Sequence, residues 1–467
     1  MIEYRKVKTF KQVRETCKVN DALLGLFYVL AGARAFFYAM KEEVFVIIIK
    51  NATLIEEGTG NFIRRDLRIE QGLITAISED EIDDNQTSGE TDEVIDALGR
   101  HVFPGFIDLH VHLREPGYTH KETILTGTKA CAKGGYTTVF CMPNTQPALD
   151  TAKVLNDLQR IIEKEACIHV IPVGAITKGI AGHELTDHKA LIDAGAGALS
   201  DDGKTTMNSD FMIAAFENSK ALNIPVMTHS EDHEVTKTYK ETLFPPEAES
   251  DIVIRDIELC KRYGGHLHVS HVSSKASVDA IRKAKKMGLH VTCEVAPHHF
   301  ALSDANINPM SPLSKVNPPI RSEHDRLAIL EAIADGTIDA IATDHAPHEM
   351  ESKQGSFSDS SFGISGIETA FTIAYKVLVM GKIITLKRLI EMLTVNPAKI
   401  GGLSDRGRLQ VGMKADLTVI DLNEVQIISS DRFISKGKNT PFNGFEGLGT
   451  VILTLCEGNV VYKKEGQ

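Results

Sequence analysis

The middle of the chain consists of eight short apolar runs that alternate with stretches of helix length. The apolar runs are residues 103–109, 137–141, 169–175, 197–199, 225–228, 267–270, 291–295 and 340–342. The longer stretches between them include residues 149–166, 210–222, 274–287 and 324–335. Alternating strands and helices form parallel sheets, and eight strands close a (β/α)8 barrel. The alternative is an open doubly wound sheet, but no glycine-rich nucleotide-binding motif follows the first run.

Polar side chains stand at the ends of these runs. They are Asp108, His110, His112, Arg114, Asn144, Asp201, Asp202, His229, His271, His298, His299, Asp344 and His345. In a (β/α)8 barrel the carboxyl ends of all strands open at one mouth, where active sites of this fold lie. The sequence therefore predicts a TIM barrel with a functional site made from these residues.

The histidines of this set predict a metal site. His110 and His112 are two residues apart on a strand, so their side chains point the same way and can bind one ion. His229 and His271 each follow a later apolar run, and Asp344 follows the eighth. A single catalytic zinc commonly has three protein ligands. Four histidines plus carboxylates exceed that number, which favours two metal ions that share a bridging oxygen and a bridging carboxylate.

Both ends of the chain have a different pattern, in which short segments rich in β-branched residues are separated by turn residues. The strand-like segments are residues 44–49, 65–69, 73–77, 415–420 and 450–455. We therefore expect a small β-sandwich domain from residues 40–102 and 405–467, which flank the barrel at residues 103–404. The acidic, glycine-containing stretch 79–93 is typical of a surface loop.

Residues 1–39 have a basic start followed by an apolar stretch, 22–39, that contains Arg34. One interpretation is a signal peptide or membrane anchor, although the stretch is barely long enough and carries a charge. We favour the other, in which Met40 is the natural start.

The overall composition argues against several classes of function and site. A net charge of −12 argues against a surface for nucleic acid or anionic membrane. The seven cysteines are scattered and form no CxxC pair, so neither a disulfide framework nor a thiolate zinc site is indicated. We expect a cytoplasmic protein.

Two segments carry a family resemblance. Residues 108–117 (DLHVHLREPG) and 343–348 (TDHAPH), with Lys353 five residues further on, resemble the two signatures of dihydroorotases in the amidohydrolase superfamily. Residues 199–203, 225–229, 268–273 and 317–321 also match in order, and the resemblance covers about residues 44–464. It points to the class in which an aspartate, rather than a carboxylated lysine, bridges the metals. One departure is Ser361, where proline is expected, which puts the rigidity of that loop in doubt.

The resemblance implies roles for individual residues. Two Zn²⁺ per chain are expected, the more buried one bound by His110, His112 and Asp344, the second by His229 and His271, with Asp202 as the bridge. The substrate's free carboxylate would contact Arg114, Asn144 and His348, and its ring would contact Asn317 and the backbone of Phe362 and Gly363. Asp201, His298, His299 and His345 are expected to be supporting residues.

The implied activity is the reversible cyclisation of N-carbamoyl-L-aspartate to L-dihydroorotate, with loss of water, in de novo pyrimidine (UMP) biosynthesis. A metal-bridging hydroxide would be the nucleophile for ring opening, and Asp344 would be the acid and base. A homodimer and an association with aspartate carbamoyltransferase are expected partners.

Two other functions stay open at this stage. An allantoinase or dihydropyrimidinase would typically have a carboxylated lysine in place of Asp202, and its substrates lack the carboxylate that Arg114 and Asn144 suit. A non-catalytic dihydroorotase-like subunit would be expected to lose metal ligands, whereas all six are present.

Overall fold

The structure is a computed structural model that describes residues 45–56, 58–82, 93–239 and 242–466. Five strands come first along the chain: β1 (Val46–Ile55), β2 (Phe62–Glu70), β3 (Leu73–Ser78), β4 (Glu93–Asp96) and β5 (His101–Pro104). Eight strands of the barrel follow: β6 (Phe106–Val111), β7 (Tyr136–Cys141), β8 (His169–Gly174), β9 (Ala198–Leu199), β10 (Pro225–Thr228), β11 (His266–Val269), β12 (Val291–Val295) and β13 (Ala340–Ile341). The last three are β14 (Leu417–Ile427), β15 (Glu446–Cys456) and β16 (Asn459–Lys463).

Strands β6 to β13 form the predicted barrel. Each pairs in parallel with the next strand along the chain. The first and last meet through a parallel bridge between Val111 and His345, where the His112 N–H donates to the His345 carbonyl at 2.8 Å. All six residues of β6 and all six of β7 are buried, as expected for strands covered on both faces. This closure excludes the open doubly wound sheet.

The described residues form twelve helices, most of which alternate with the barrel strands. They are α1 (Ile124–Lys133), α2 (Ala152–Glu165), α3 (His188–Asp193), α4 (Ser209–Leu222), α5 (His233–Thr236), α6 (Glu247–Tyr263), α7 (Lys275–Lys286), α8 (Pro297–Ala301), α9 (Glu323–Ala334), α10 (Ala370–Ala374), α11 (Leu386–Leu393) and α12 (Val395–Ile400). Short 3-10 turns lie at Lys178–Ile180, Pro312–Ser314, Met350–Lys353 and Ser430–Arg432, and a π-helical turn at Tyr375–Met380.

The four helices for which the sequence predicts bounds are confirmed, and no end differs by more than three residues. Each begins after a side chain that accepts a hydrogen bond from the first turn; these capping residues are Thr151, Asn208, Ser274 and Ser322. In α7 the residues Val278, Ile281 and Ala284 are buried at helical spacing, so one apolar stripe faces the barrel.

Strands from both ends of the chain form one mixed sheet, as predicted for the smaller unit. Its order is β16-β15-β14-β5-β1-β2-β3, and β4 pairs with β1. The two ends meet where β5 pairs with β14, with Val102 opposite Val419. Ile47, Leu67 and Leu417 belong to the apolar core of this sheet. The domain boundaries at residues 102 and 405 stay a prediction.

One strand prediction was wrong in its extent. The run 103–109 was expected to be a single barrel strand, but the chain divides at Gly105, with β5 in the mixed sheet and β6 in the barrel. The Gly105 N–H donates to the Asp416 carbonyl at 2.8 Å. A Cβ at this glycine would lie 2.1 Å from Thr137 Oγ1, so only glycine allows this close approach.

The interpretations of residues 1–39 and of most of the 79–93 loop fall outside the described residues. Within the described ranges, no helix combines the length and the apolar character needed to cross a membrane.

We predict that Gly105→Ala lowers the free energy of unfolding by about 1–3 kcal/mol, because the added methyl group overlaps Thr137 in a closely packed junction. Thermal unfolding followed by circular dichroism measures the effect as a lower Tm. Gly58→Ala is the matched control, since a Cβ there has no heavy atom within 4 Å. Equal Tm values for both variants would contradict the role assigned to Gly105.

Candidate metal centre and active site

The barrel brings all six predicted metal ligands to its mouth. His110 lies on β6 and His112 directly follows it, while the other four follow β9, β10, β11 and β13. All six are buried: His110, His112, Asp202, His229, His271 and Asp344. Residues up to 234 positions apart in the chain therefore share one small volume, as the strand-end pattern predicted.

Asp202 lies between two pairs of histidines. Its Oδ1 is 3.2 Å from His110 Nε2, and its Oδ2 is 3.5 Å from His112 Nε2. The same Oδ1 is 3.6 Å from His229 Nδ1 and 3.7 Å from His271 Nε2. Asp202 thus belongs to two candidate ligand groups, each with its ligand atoms within 4.8 Å of one another.

Asp344 lies on the side of the first group. Its Oδ1 is 3.1 Å from His112 Nε2 and 3.6 Å from His110 Nε2. Burial opposes ionisation, but the hydrogen bond with His112 and the charge of His110 hold the pKa of this carboxyl below its ordinary value. Asp344 is therefore a carboxylate directed at the first group.

The donor set fits divalent metal ions. His110 Nε2 and Asp202 Oδ1 are buried and have no hydrogen-bond partner in the described part of the chain. Such atoms are costly unless something binds them. Imidazole nitrogens and carboxylate oxygens at this spacing are the ligands that zinc and related ions prefer.

The ring nitrogens that face away from these groups lie close to polar side chains. His110 Nδ1 lies 3.3 Å from Glu294 Oε1, and His229 Nε2 lies 3.2 Å from Glu231 Oε2. His112 Nδ1 lies 2.9 Å from Asn144 Oδ1. Partners of this kind orient metal-binding histidines. The sequence analysis assigned no role to Glu294 or Glu231, although a carboxylate inside an apolar run such as 291–295 is a signal, because buried carboxylates need partners.

The residues expected to bind a carboxylate lie together beside the first group. Arg114 Nη2 is 3.2 Å from His348 Nε2, and Arg114 Nε donates to the Pro347 carbonyl. Asn144 uses its oxygen toward His112, which leaves its amide N–H groups for a ligand. Lys121 Nζ is 3.4 Å from His348 Nδ1 and adds a cation that the sequence analysis missed.

His348 is neutral in this setting. Burial lowers its pKa to about 2, together with the charges of Arg114, Lys121 and Lys353. Its Nε2 is 2.8 Å from the Phe362 carbonyl, so the ring is held between the arginine and the 357–363 loop.

Asn317 lies at the side of the second group. Its Nδ2 is 2.6 Å from Glu231 Oε2 and 3.2 Å from His229 Nε2. A cavity of about 610 Å³ is lined by Asn317, Phe362, Glu231 and neighbouring side chains. The side chain of Phe362 is 47% exposed, so it faces this opening rather than the core.

Three of the four residues predicted to be supporting make hydrogen bonds outside the candidate ligand groups, and their roles stay predictions. Asp201 points away from the ligands and accepts hydrogen bonds from Thr177 and Thr206. His299 Nε2 is 3.0 Å from the Pro318 carbonyl. His345 Nδ1 accepts from the Gly366 N–H. His298 is buried, and its Nε2 has no hydrogen-bond partner among the described residues.

Comparison with known proteins identifies the family. The model of the amidohydrolase family matches residues 101–461. A dihydroorotase of Geobacillus sp. (strain WCH70) is 45% identical over 429 residues, covering 90% of this chain and 99% of the relative. A dihydroorotase of Thermoanaerobacter sp. (strain X514) is 42% identical over 430 residues, covering 90% and 98%. The chain belongs to the amidohydrolase family, among the dihydroorotases.

Solved structures agree with the fold of this amidohydrolase. The L-hydantoinase (dihydropyrimidinase) of Arthrobacter aurescens superposes with a TM-score of 0.82 at 26% identity, covering 90% of this chain and 96% of that one. The dihydropyrimidinase of Brevibacillus agri NCHU1002 superposes with a TM-score of 0.80 at 24% identity, covering 90% and 95%, which shows the fold alone.

In this amidohydrolase the loop that carries Phe362 and Gly363 is held by a buried lysine. Lys353 Nζ donates to the carbonyls of Ser361, Gly363 and Lys315 at 2.7, 3.1 and 3.1 Å. The Ser361 N–H donates to the Ser352 carbonyl at 2.8 Å, a bond that proline could not make. The expected loss of loop rigidity from serine at 361 is therefore offset by this hydrogen bond.

We predict that Lys353→Met speeds hydrogen exchange in the 357–363 loop of this amidohydrolase, because three carbonyls lose their shared donor. Exchange mass spectrometry of peptides that cover the loop measures this. Lys285→Met is the control, since Lys285 donates to Thr337 and Asp339 on the outer side of the barrel. Unchanged loop exchange in Lys353→Met would contradict the assignment.

Proposed function

We propose that this enzyme is a dihydroorotase, which interconverts N-carbamoyl-L-aspartate and L-dihydroorotate in pyrimidine biosynthesis. The observation that carries the proposal is the carboxylate of Asp202 between two histidine pairs, with the cationic cluster of Arg114 and Lys121 beside it. Curated relatives with at least 42% identity over 90% of the chain are named dihydroorotase.

Two Zn²⁺ ions per chain are part of the proposal. His110, His112 and Asp344 would bind the more buried ion, His229 and His271 the second, and Asp202 both. When bound, zinc would polarise the substrate carbonyl and lower the pKa of its bound water toward neutral pH.

The other residues bind and orient the substrate. The guanidinium of Arg114 offers two parallel donors to the free carboxylate, which is the geometry that an arginine fork favours. Asn144 would donate to the carboxylate from its amide N–H groups. His348 would contact the carboxylate as a neutral ring that adds no charge of its own. Asn317 and the backbone of Phe362 and Gly363 would contact the ring.

Asp344 would move the proton. In ring opening, the oxygen of water forms a bond to the amide carbon and the bond from that carbon to the ring nitrogen breaks. Asp344 takes a proton from the water and delivers it to the leaving nitrogen. Ring closure is the reverse, and it consumes one proton overall because two carboxylates become one.

A second candidate is hydrolysis of another cyclic amide, of the hydantoin or dihydropyrimidine type. The L-hydantoinase (dihydropyrimidinase) of Arthrobacter aurescens, with a TM-score of 0.82 at 26% identity, favours it. Arg114 disfavours it, because those substrates have no free carboxylate to pair with this partly buried guanidinium. A cytoplasmic location, a homodimer and an association with aspartate carbamoyltransferase stay predictions.

The test is an assay of the purified full chain with dihydroorotate, carbamoyl-aspartate, hydantoin and dihydrouracil, with zinc measured in each sample. We expect turnover of the first two substrates only, about two zinc ions per chain, and loss of activity on chelation that zinc restores. Turnover of hydantoin or dihydrouracil instead would favour the second candidate. Active protein with a single zinc ion would rule out the two-metal centre.

Arg114→Lys is expected to lower kcat/KM by about 10- to 100-fold, because lysine keeps the charge and loses the two-pronged geometry. Zinc content should stay at the wild-type level, since Arg114 contacts His348 and Pro347 rather than the ligands. Arg160→Lys on the exposed face of α2 is the control. Normal kinetics in Arg114→Lys would place the carboxylate elsewhere.

Asp344→Asn is expected to lower kcat in both directions by about 10²–10⁴-fold, which is the usual contribution of general acid–base catalysis. Both directions are measured on samples whose zinc content has been determined, so that lost metal and lost proton transfer are separated. If a zinc-loaded variant kept near-normal kcat, Asp344 would be a ligand only, and His348 would be the next candidate for the proton carrier.

A further inference from the structure

A string of polar side chains runs through the buried side of the β11–β12 pair and ends on a predicted metal ligand. His266 Nε2 is 2.7 Å from Thr292 Oγ1, and the same oxygen is 2.9 Å from His268 Nδ1. His268 Nε2 is 3.0 Å from Glu294 Oε2, and Glu294 Oε1 is 3.3 Å from His110 Nδ1. Four side chains are thus linked by hydrogen bonds, and Glu294 makes an ion-pair contact with the fifth, His110.

The spacing of these residues places them on one face. His266 and His268 are two apart on β11, and Thr292 and Glu294 are two apart on β12, so each pair points the same way. The two strands pair with His268 opposite Thr292. His110 and His268 are 0% exposed and Glu294 is 1% exposed, so the inner half of the string has no access to water.

Neutral imidazoles and an ionised Glu294 give one arrangement of protons in this string. An ionised carboxylate only accepts, so Glu294 accepts the N–H of His268 Nε2, and its other oxygen faces His110 Nδ1 at 3.3 Å in an ion-pair contact. His268 Nδ1 is then an acceptor, and the hydroxyl of Thr292 donates to it. The oxygen of Thr292 in turn accepts the N–H of His266. His110 Nε2 is left with its lone pair toward Asp202, at 3.2 Å.

We propose that Glu294, held in place by His268 and Thr292, is a positioning residue that presents His110 Nε2 as a ligand and so sets the retention of the more buried metal ion. The proposal rests on the proposed function only in taking His110 as a metal ligand.

Glu231 provides a comparison within the same site. Its Oε2 is 3.2 Å from His229 Nε2, so it stands behind the second histidine pair as Glu294 stands behind the first. Glu231 also bonds Thr236 and His233 at the rim of the cavity, whereas the partners of Glu294 are inside the barrel. Substitution of Glu294 or Glu231 should therefore weaken the binding of one metal ion at a time.

The experiment is a zinc titration of the full chain against a chromophoric chelator. Glu294→Gln is expected to weaken one of two zinc sites by about 10- to 100-fold, the usual cost of losing a partner of a metal-bound histidine. Glu231→Gln should weaken the other site, and the double variant should weaken both. Thr292→Val keeps the shape of the side chain and removes the hydroxyl, so it should weaken the same site as Glu294→Gln by a smaller factor.

Several outcomes would overturn the positioning role. Glu294→Gln could retain both ions at wild-type affinity and lose only Tm, which would make the string a structural element of the barrel. If Glu294→Gln does not fold, Thr292→Val decides, and wild-type affinity in that variant counts against the proposal. If wild-type protein binds no zinc, the proposed function itself is wrong. If Glu294→Gln is active but retains zinc less well, both the proposed function and the positioning role are supported.

Discussion

The carboxylate of Asp202, which is only 2% exposed, contacts both histidine pairs of the site. An isolated carboxylate at such a position would be costly, because charge is poorly solvated inside a protein. Burial opposes its ionisation, but His110, His229 and His271 hold the pKa of Asp202 well below its ordinary value. The two histidine pairs come from different strands, so this contact exists only when the barrel is closed.

Partners behind the histidines complete the arrangement. Glu294, Glu231 and Asn144 each contact the ring nitrogen that faces away from the candidate metal groups. These contacts leave the opposite nitrogens directed at Asp202. On the substrate side, burial and then the charges of Arg114, Lys121 and Lys353 lower the pKa of His348 and keep it neutral, and the Phe362 carbonyl of the 357–363 loop contacts its ring. Charge in the mouth is thus balanced locally, and the net charge of the chain has little bearing on it.

Much of this could be predicted from the sequence because it depends on local spacing. Eight apolar runs, each ending in a polar residue, indicate parallel strands whose carboxyl ends meet. The pair His110 and His112 indicates one side of a strand. The division at Gly105 could not be predicted in this way, because residues 101–104 pair with β14, more than 300 positions away. Apolar character alone does not tell which of two sheets a short run will join.

The sequence by itself determined the barrel, the mixed sheet from the two ends and the set of residues at the mouth, because strand periodicity and residue type are properties of neighbours in the chain. Only the tertiary structure decided which atoms of those residues face one another. The contacts of Asp202 with both histidine pairs, the carboxylate of Glu294 beside His110 and the bonds of Lys353 to three carbonyls all depend on distances between different strands and loops. Such distances are set by how the barrel closes, which no local pattern encodes.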